Sequence, residues 1–151
     1  MTDEKQPEVN MGQPPIIINN QYIKDLSLEI PHAPEIFAKI NQKPELKVEM
    51  SVQSQKLANG SHNVSLNIAL NGDVEGEKLF ILELSYAAVV TLNVPAEHLE
   101  PVLAVEIPRI LFPFARNVVT QCLVEGGLPP FMLTPVDFAA LYAARQNTNK
   151  Q

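Results

Sequence analysis

Alternation of apolar and polar positions runs through the first half of the chain. Between Tyr22 and Ile30, an extended backbone puts Tyr22, Leu26, Leu28 and Ile30 on one face, and Ile23, Asp25, Ser27 and Glu29 on the other. Leu46, Val48, Met50 and Val52 alternate with Lys47, Glu49, Ser51 and Gln53. Val64, Leu66, Ile68 and Leu70 alternate with Ser65 and Asn67. A period of two with one apolar face predicts antiparallel strands, packed on a core at one side and wet at the other. Asn59-Gly60 lies between the second and third strands, and Asn71-Gly72 follows the third. Both pairs accept positive φ and predict tight reversals, so residues 46–92 read as a meander. The fourth strand, Leu79 to Tyr86, differs. Phe80, Leu82, Leu84 and Tyr86 share one side, while the other mixes Leu79 and Ile81 with Glu83. It is buried on both faces, or one face awaits a partner.

A connection from Pro31 to Pro44 joins the first two strands. It is long for a hairpin and carries Ile36, Phe37 and Ile40, which a purely solvated loop does not need. After the strands the period changes. A helix is predicted over about Pro108 to Val124 with two apolar stripes, one of Ile107, Leu111, Phe114, Val118 and Cys122, the other of Phe112, Ala115, Val119 and Leu123. Together they exceed the ~100° apolar arc of a surface helix. The helix is therefore buried on two sides, within one chain or against another subunit. Pro113 marks the start of its regular part, and Gly126-Gly127 ends it. A second helix starts with Thr134 as N-cap, Pro135 in its first position and Asp137 three residues on, and runs to about Arg145. Strands followed by helices predict an α+β fold.

Composition adds bounds to this picture. A chain of 151 residues, 46% hydrophobic and 19% charged, suits one domain with its own core. Residues 1–15 read as a flexible lead-in, 16–145 as a single domain, and the polar run 146–151 as a flexible tail. Seventeen acids against eleven bases give a net charge of -6, which argues against nucleic acid as a partner. The opening residues lack a signal-peptide pattern, and no run is apolar enough to span a bilayer, so a cytoplasmic protein with no membrane insertion is expected. One cysteine leaves no disulfide framework. Phosphate-cradling glycine motifs are missing, so no nucleotide cofactor is expected. Cys122 reads as a small buried hydrophobe. Glu97-His98-x-Glu100 reads as a solvated loop sooner than a metal site. No nucleophile, base or metal set was found, so no enzyme is expected.

The charge pattern is more specific. From Asp73 to Glu106 seven acids face one base, Lys78. Asp25 and Glu29, about 13 Å apart, point the same way in the first strand. With Ile81 and Glu83 on the same side, the sheet presents carboxylates around an apolar spot. That surface either solubilises the sheet or steers a basic partner.

Three segments carry a resemblance. Tyr22 to Pro31 with Ala33-Pro34, Ile110-Leu111-Phe112-Pro113-Phe114-Ala115-Arg116, and Leu128-Pro129-Pro130 with Leu133 to Leu141 resemble the SecB family of protein-export chaperones, over about residues 20–145. The resemblance implies a four-stranded antiparallel sheet with a long helix packed on it and a shorter second helix. It implies a cytoplasmic homotetramer, a dimer of dimers, that binds unfolded preproteins without ATP and hands them to the translocation ATPase SecA. By motif position it implies that Asp25, Glu29, Ile81 and Glu83 contact SecA, and that Leu82, Leu84 and Tyr86 bear on tetramer assembly. The two-striped helix adds Val118 and Cys122 to that interface. Ile36, Phe37 and Ile40 on the crossover, with Phe131, Leu133, Val136 and Phe138, form either ordinary core or a client groove. A SecB-like chaperone dedicated to one partner, such as an antitoxin, is the alternative within the family; an oligomeric scaffold without a groove is the alternative outside it.

Overall fold

The computed structural model describes residues 9–149. Four strands, β1 (Ile16–Glu29), β2 (Glu45–Lys56), β3 (His62–Val74) and β4 (Glu77–Leu92), form one antiparallel sheet in the order β1-β4-β3-β2. The expected α+β architecture is present. The 46–92 segment is a meander, and the crossover carries the chain from one sheet edge to the other, leaving β1 and β2 as edge strands.

The pairing register sorts side chains onto two faces. Leu82, Leu84, Tyr86, Ala88 and Val90 of β4 stand opposite Leu70, Ile68, Leu66, Val64 and His62 of β3. Val48, Met50 and Val52 of β2 continue that row. This face carries the helices, and Leu66, Leu70 and Leu82 are fully sealed. Each such side chain contributes roughly 1.5–3 kcal/mol by leaving water. The reverse face carries Glu49, Ser51, Asn67, Ala69, Ile81, Glu83 and Ser85, which are exposed or half-buried. The single-chain fold therefore leaves the reverse face of β4 open from Ile81 to Ser85, while Ala87 and its partner Ser65 farther along are buried.

Two local departures have physical causes. The ladder between β1 and β4 skips at Lys24, between Ile23 opposite Tyr86 and Asp25 opposite Ser85. One extra residue in a strand flips every side chain beyond it. Tyr22 thus turns to the open face, where its hydroxyl donates to Asn63 Oδ1 at 2.6 Å, and Ile23 joins the covered face. Strict alternation had placed both on the opposite sides. Asn71-Gly72 is not a reversal either. β3 continues to Val74, and the turn is Glu75-Gly76, with φ of +50° and +79°. Gly72 instead lies beneath the Phe80 ring, which a Cβ at that position would strike. Asn59-Gly60 does turn the chain, with Gly60 at φ +88° and Asn59 Oδ1 accepting from the Ser61 amide at 3.1 Å.

The long helical stretch begins earlier than the periodicity showed. α1 (Ala96–Pro101) runs through a π-helical turn (Val102–Glu106) into α2 (Ile107–Glu125). Pro95, Pro101 and Pro108 conceal that start in the sequence, and Glu97, His98 and Glu100 lie in helix rather than in a loop. No group of three metal-binding side chains occurs among the described residues. Ile107, Leu111, Ala115, Val119 and Leu123 form the buried stripe, four residues apart. Phe114, Val118 and Cys122, grouped with Ile107 and Leu111 by the sequence, turn to a separate flank. The helix ends where Leu128 N–H bonds Leu123 O at 2.9 Å and Gly127 N–H bonds Val124 O at 3.0 Å, with Gly127 at φ +81°.

The last helix, α3 (Phe138–Asn149), starts one turn later than predicted. Asp137, not Thr134, caps it: its Oδ1 accepts from the Ala140 amide at 3.0 Å. Residues 146–149 are helical rather than a free tail, whereas 150–151 and 1–8 lie outside the described residues. Part of the expected lead-in is tied down as well, since Asn10 exchanges hydrogen bonds with the Asn93 side chain at 2.7 and 2.6 Å.

Candidate functional site

The edge strand β2 borders a trough. At its apolar end a hollow of about 270 Å³ is lined by Val48, Met50, Phe131, Leu133, Val136, Leu141 and Thr134. The hollow forms where residues 128–137 run without regular secondary structure before α3, held to α2 where Thr120 Oγ1 donates to Phe131 O at 2.9 Å. A second hollow, of about 190 Å³, continues it past Met50, Val52, Ala104, Leu141, Tyr142 and Arg145. A third, of about 510 Å³, shares Gln53 with the second and adds Lys24, Ser54, Gln55, Asn63, Ser65, Glu100 and Gln146. The trough thus grades from apolar to polar along the strand. Its chemistry is apolar burial beside unpaired backbone. Val52 O accepts from Arg145 Nη1 at 3.0 Å, so the backbone of Val52 points out of the sheet. Alternation along an antiparallel edge gives Val48, Met50 and Ser54 the same outward direction.

Phe131, Leu133 and Val136 therefore share this hollow. The crossover residues do not line it. Ile36 is 1% exposed and plugs the core, while Phe37 and Ile40 pack on the core's rim. Phe138, also 1% exposed, sits edge-on to Phe112 with ring centroids 6.0 Å apart and anchors α3 instead of lining a groove. The wall that periodicity did not single out is β2 itself. Val48 is the available signal, a large apolar side chain left 40% exposed. The crossover has a different anchor: Lys39 Nζ lies 3.4 Å from both Glu75 and Glu77 of the β3–β4 turn, and these carboxylates raise the Lys39 pKa.

On the reverse face, the register aligns Asp25, Ser27 and Glu29 with Ser85, Glu83 and Ile81. A hollow of about 390 Å³ gathers Asp25, Glu83 and Glu49 around Ser51, Asn67 and Ser85. Asp25, Glu29, Ile81 and Glu83 thus share one open surface. Glu49 joins them from β2, a neighbour that only the three-dimensional register reveals.

Leu82, Leu84 and Tyr86 sit elsewhere. They are 0%, 3% and 8% exposed within the single chain, against the helices. They are protomer core. Val118 and Cys122 are half-buried on the flank of α2 that also exposes Phe114 (51%). Burial raises the Cys122 thiol pKa, which favours the protonated form.

Residues 9–149 match the family model described as preprotein translocase subunit SecB. The chain belongs to the SecB family. It is 47% identical to the protein-export protein SecB of Rhodospirillum rubrum, over 88% of this chain and 83% of that one. It is 46% identical to that of Paramagnetospirillum magneticum, over 96% and 93%. Its fold is similar to a Mycobacterium tuberculosis SecB-like chaperone solved with a peptide from an antitoxin, with a TM-score of 0.67, 16% identity and coverage of 80% of this chain and 90% of that one. No helix among the described residues is long and apolar enough to cross a membrane.

Proposed function

We propose that this SecB-family chain is an ATP-independent cytoplasmic chaperone that holds unfolded precursors of exported proteins and delivers them to SecA. The observation that carries the reading is the trough beside β2. An unfolded polypeptide displays apolar side chains and unpaired backbone groups, and the trough offers a sink for the first and partners for the second. Burying one large apolar side chain there is worth about 1.5–3 kcal/mol, and repeating the site across an oligomer multiplies weak contacts through effective concentration. The graded, loosely walled shape suits many clients, since nothing in it reads one side chain.

The other two surfaces take the remaining tasks. Asp25, Glu29, Ile81 and Glu83, joined by Glu49, form the docking face for SecA, steering a basic partner to an apolar centre. The Phe114, Val118 and Cys122 flank of α2 meets its counterpart in a tetramer built as a dimer of dimers. Membership of a chaperone family argues against an enzyme.

Suppression of aggregation tests the reading. At stoichiometric amounts the chain should keep a slowly refolding protein soluble without ATP; unchanged aggregation would contradict it. Replacing Asp25 and Glu29 together with Ala should weaken SecA binding while client binding stays intact, and equal loss of both would reject the separation of faces. A charge at Val118 should shift sedimentation from tetramer toward dimer.

A further inference from the structure

Beyond its first turn α3 is docked by one half-buried side chain, Tyr142, and by polar contacts. Phe138 is its one fully buried side chain, at the first turn. Ala139, Ala140, Ala143 and Ala144 are exposed, and Leu141 is 38% exposed. Farther along, the helix is held where Gln146 Nε2 donates to Glu100 Oε1 at 3.0 Å and where Arg145 Nη1 donates to Val52 O at 3.0 Å. The second contact is unusual in kind. A charged side chain occupies an outward carbonyl of an edge strand, the group that an added strand would use for its first backbone bond. The guanidinium therefore stands where a client's amide N–H would stand, in the middle of the trough.

We propose that Arg145 is a displaceable stand-in for client backbone: it closes the β2 edge in the empty protein and yields Val52 O to an extended segment, letting α3 turn outward about Phe138. The proposal rests on the trough being the client site. A long charged side chain at an exposed site can be exchanged quickly, so the edge is covered against pairing with other chains while still open to clients.

Two measurements on the full chain separate this proposal from the reading beneath it. The first needs no client. Hydrogen exchange in the free protein should be several-fold faster at residues 143–147 in Arg145→Ala than in the original, with β3 and β4 unchanged. The second follows anisotropy of fluorescein-labelled, reduced and carboxymethylated α-lactalbumin. Arg145→Ala should associate about three- to tenfold faster, the size expected when one charge-assisted hydrogen bond at an exposed site no longer has to be broken. Arg145→Lys should fall between, and Gln146→Ala, which loosens the same helix without freeing Val52 O, should stay within about twofold of the original. Arg145→Gln serves if the alanine variant loses helix by circular dichroism. Unchanged exchange, unchanged or slower association, or an equal gain in Gln146→Ala overturns the proposal. Should the original protein fail to bind the labelled polypeptide, the chaperone reading fails, and exchange alone then decides whether the latch exists.

Discussion

The two principal helices pack against the same protein in opposite ways. α2 buries Ile107, Leu111, Phe112, Ala115, Val119 and Leu123 and ends in a closed glycine cap. α3 fully buries only Phe138 among its described side chains, half-buries Tyr142 and is otherwise tethered by polar bonds. The first arrangement makes a rigid scaffold, because close-packed cores resist adjustment. The second makes a wall that can move, since little apolar burial is lost when it does. The trough lies beside the movable wall, and the acidic face proposed to dock SecA lies across the rigid sheet. A holdase with many clients needs adaptability at one surface and a fixed geometry at the other.

The contrast can be broken by mutation. Leu111→Ala should lower global stability by about 2–5 kcal/mol in urea unfolding, with every amide of the sheet losing protection together. Phe138→Ala should cost a comparable amount, about 3–5 kcal/mol, but locally: α3 alone should exchange like open chain while the sheet keeps its protection. If both variants melted the whole domain equally, the helices would not differ in kind.

Smaller effects sharpen the same comparison. His62 is buried on the covered face, its Nδ1 lacks a partner, and burial followed by the Lys56 charge holds its pKa below the usual 6.5. The unfolded chain then takes up the proton more readily than the folded one. Its contribution is intact above pH 6.5 and is lost as pH falls through 6.5 toward the folded value. His62→Leu should flatten that part of the acid decline in thermal unfolding; an unchanged slope would show that His62 does not carry it. Lys39→Ala should change global stability by less than about 1 kcal/mol, since its pairs with Glu75 and Glu77 are exposed, and should loosen only the crossover.

How far the chain could be read in advance follows the same physics. Where one face is buried and one wet, as in β2 and β3, alternation reports the structure directly. The inserted residue at Lys24 left no pattern, so Tyr22 and Ile23 exchanged faces unseen. Asn71-Gly72 looked like a turn because its residue types suit one, while Phe80 explains the glycine and lies far along the chain. Prolines hid the start of α1. The shared side of Asp25, Glu29, Ile81 and Glu83 was legible, because no irregularity falls between Asp25 and Glu29 in the ladder. The role of β2 as a wall was not, since an edge strand and a central strand share one alternation and differ only in their neighbours.

Methyl NMR of the full chain with an unfolded polypeptide, then with SecA, tests the central claim most directly. Signals of Val48, Met50, Leu133, Val136 and Leu141 should move with the polypeptide while Ile81 and Ala69 stay still, and SecA should do the reverse. Movement of Ile81 and Ala69 with the polypeptide, and a silent trough, would contradict the account.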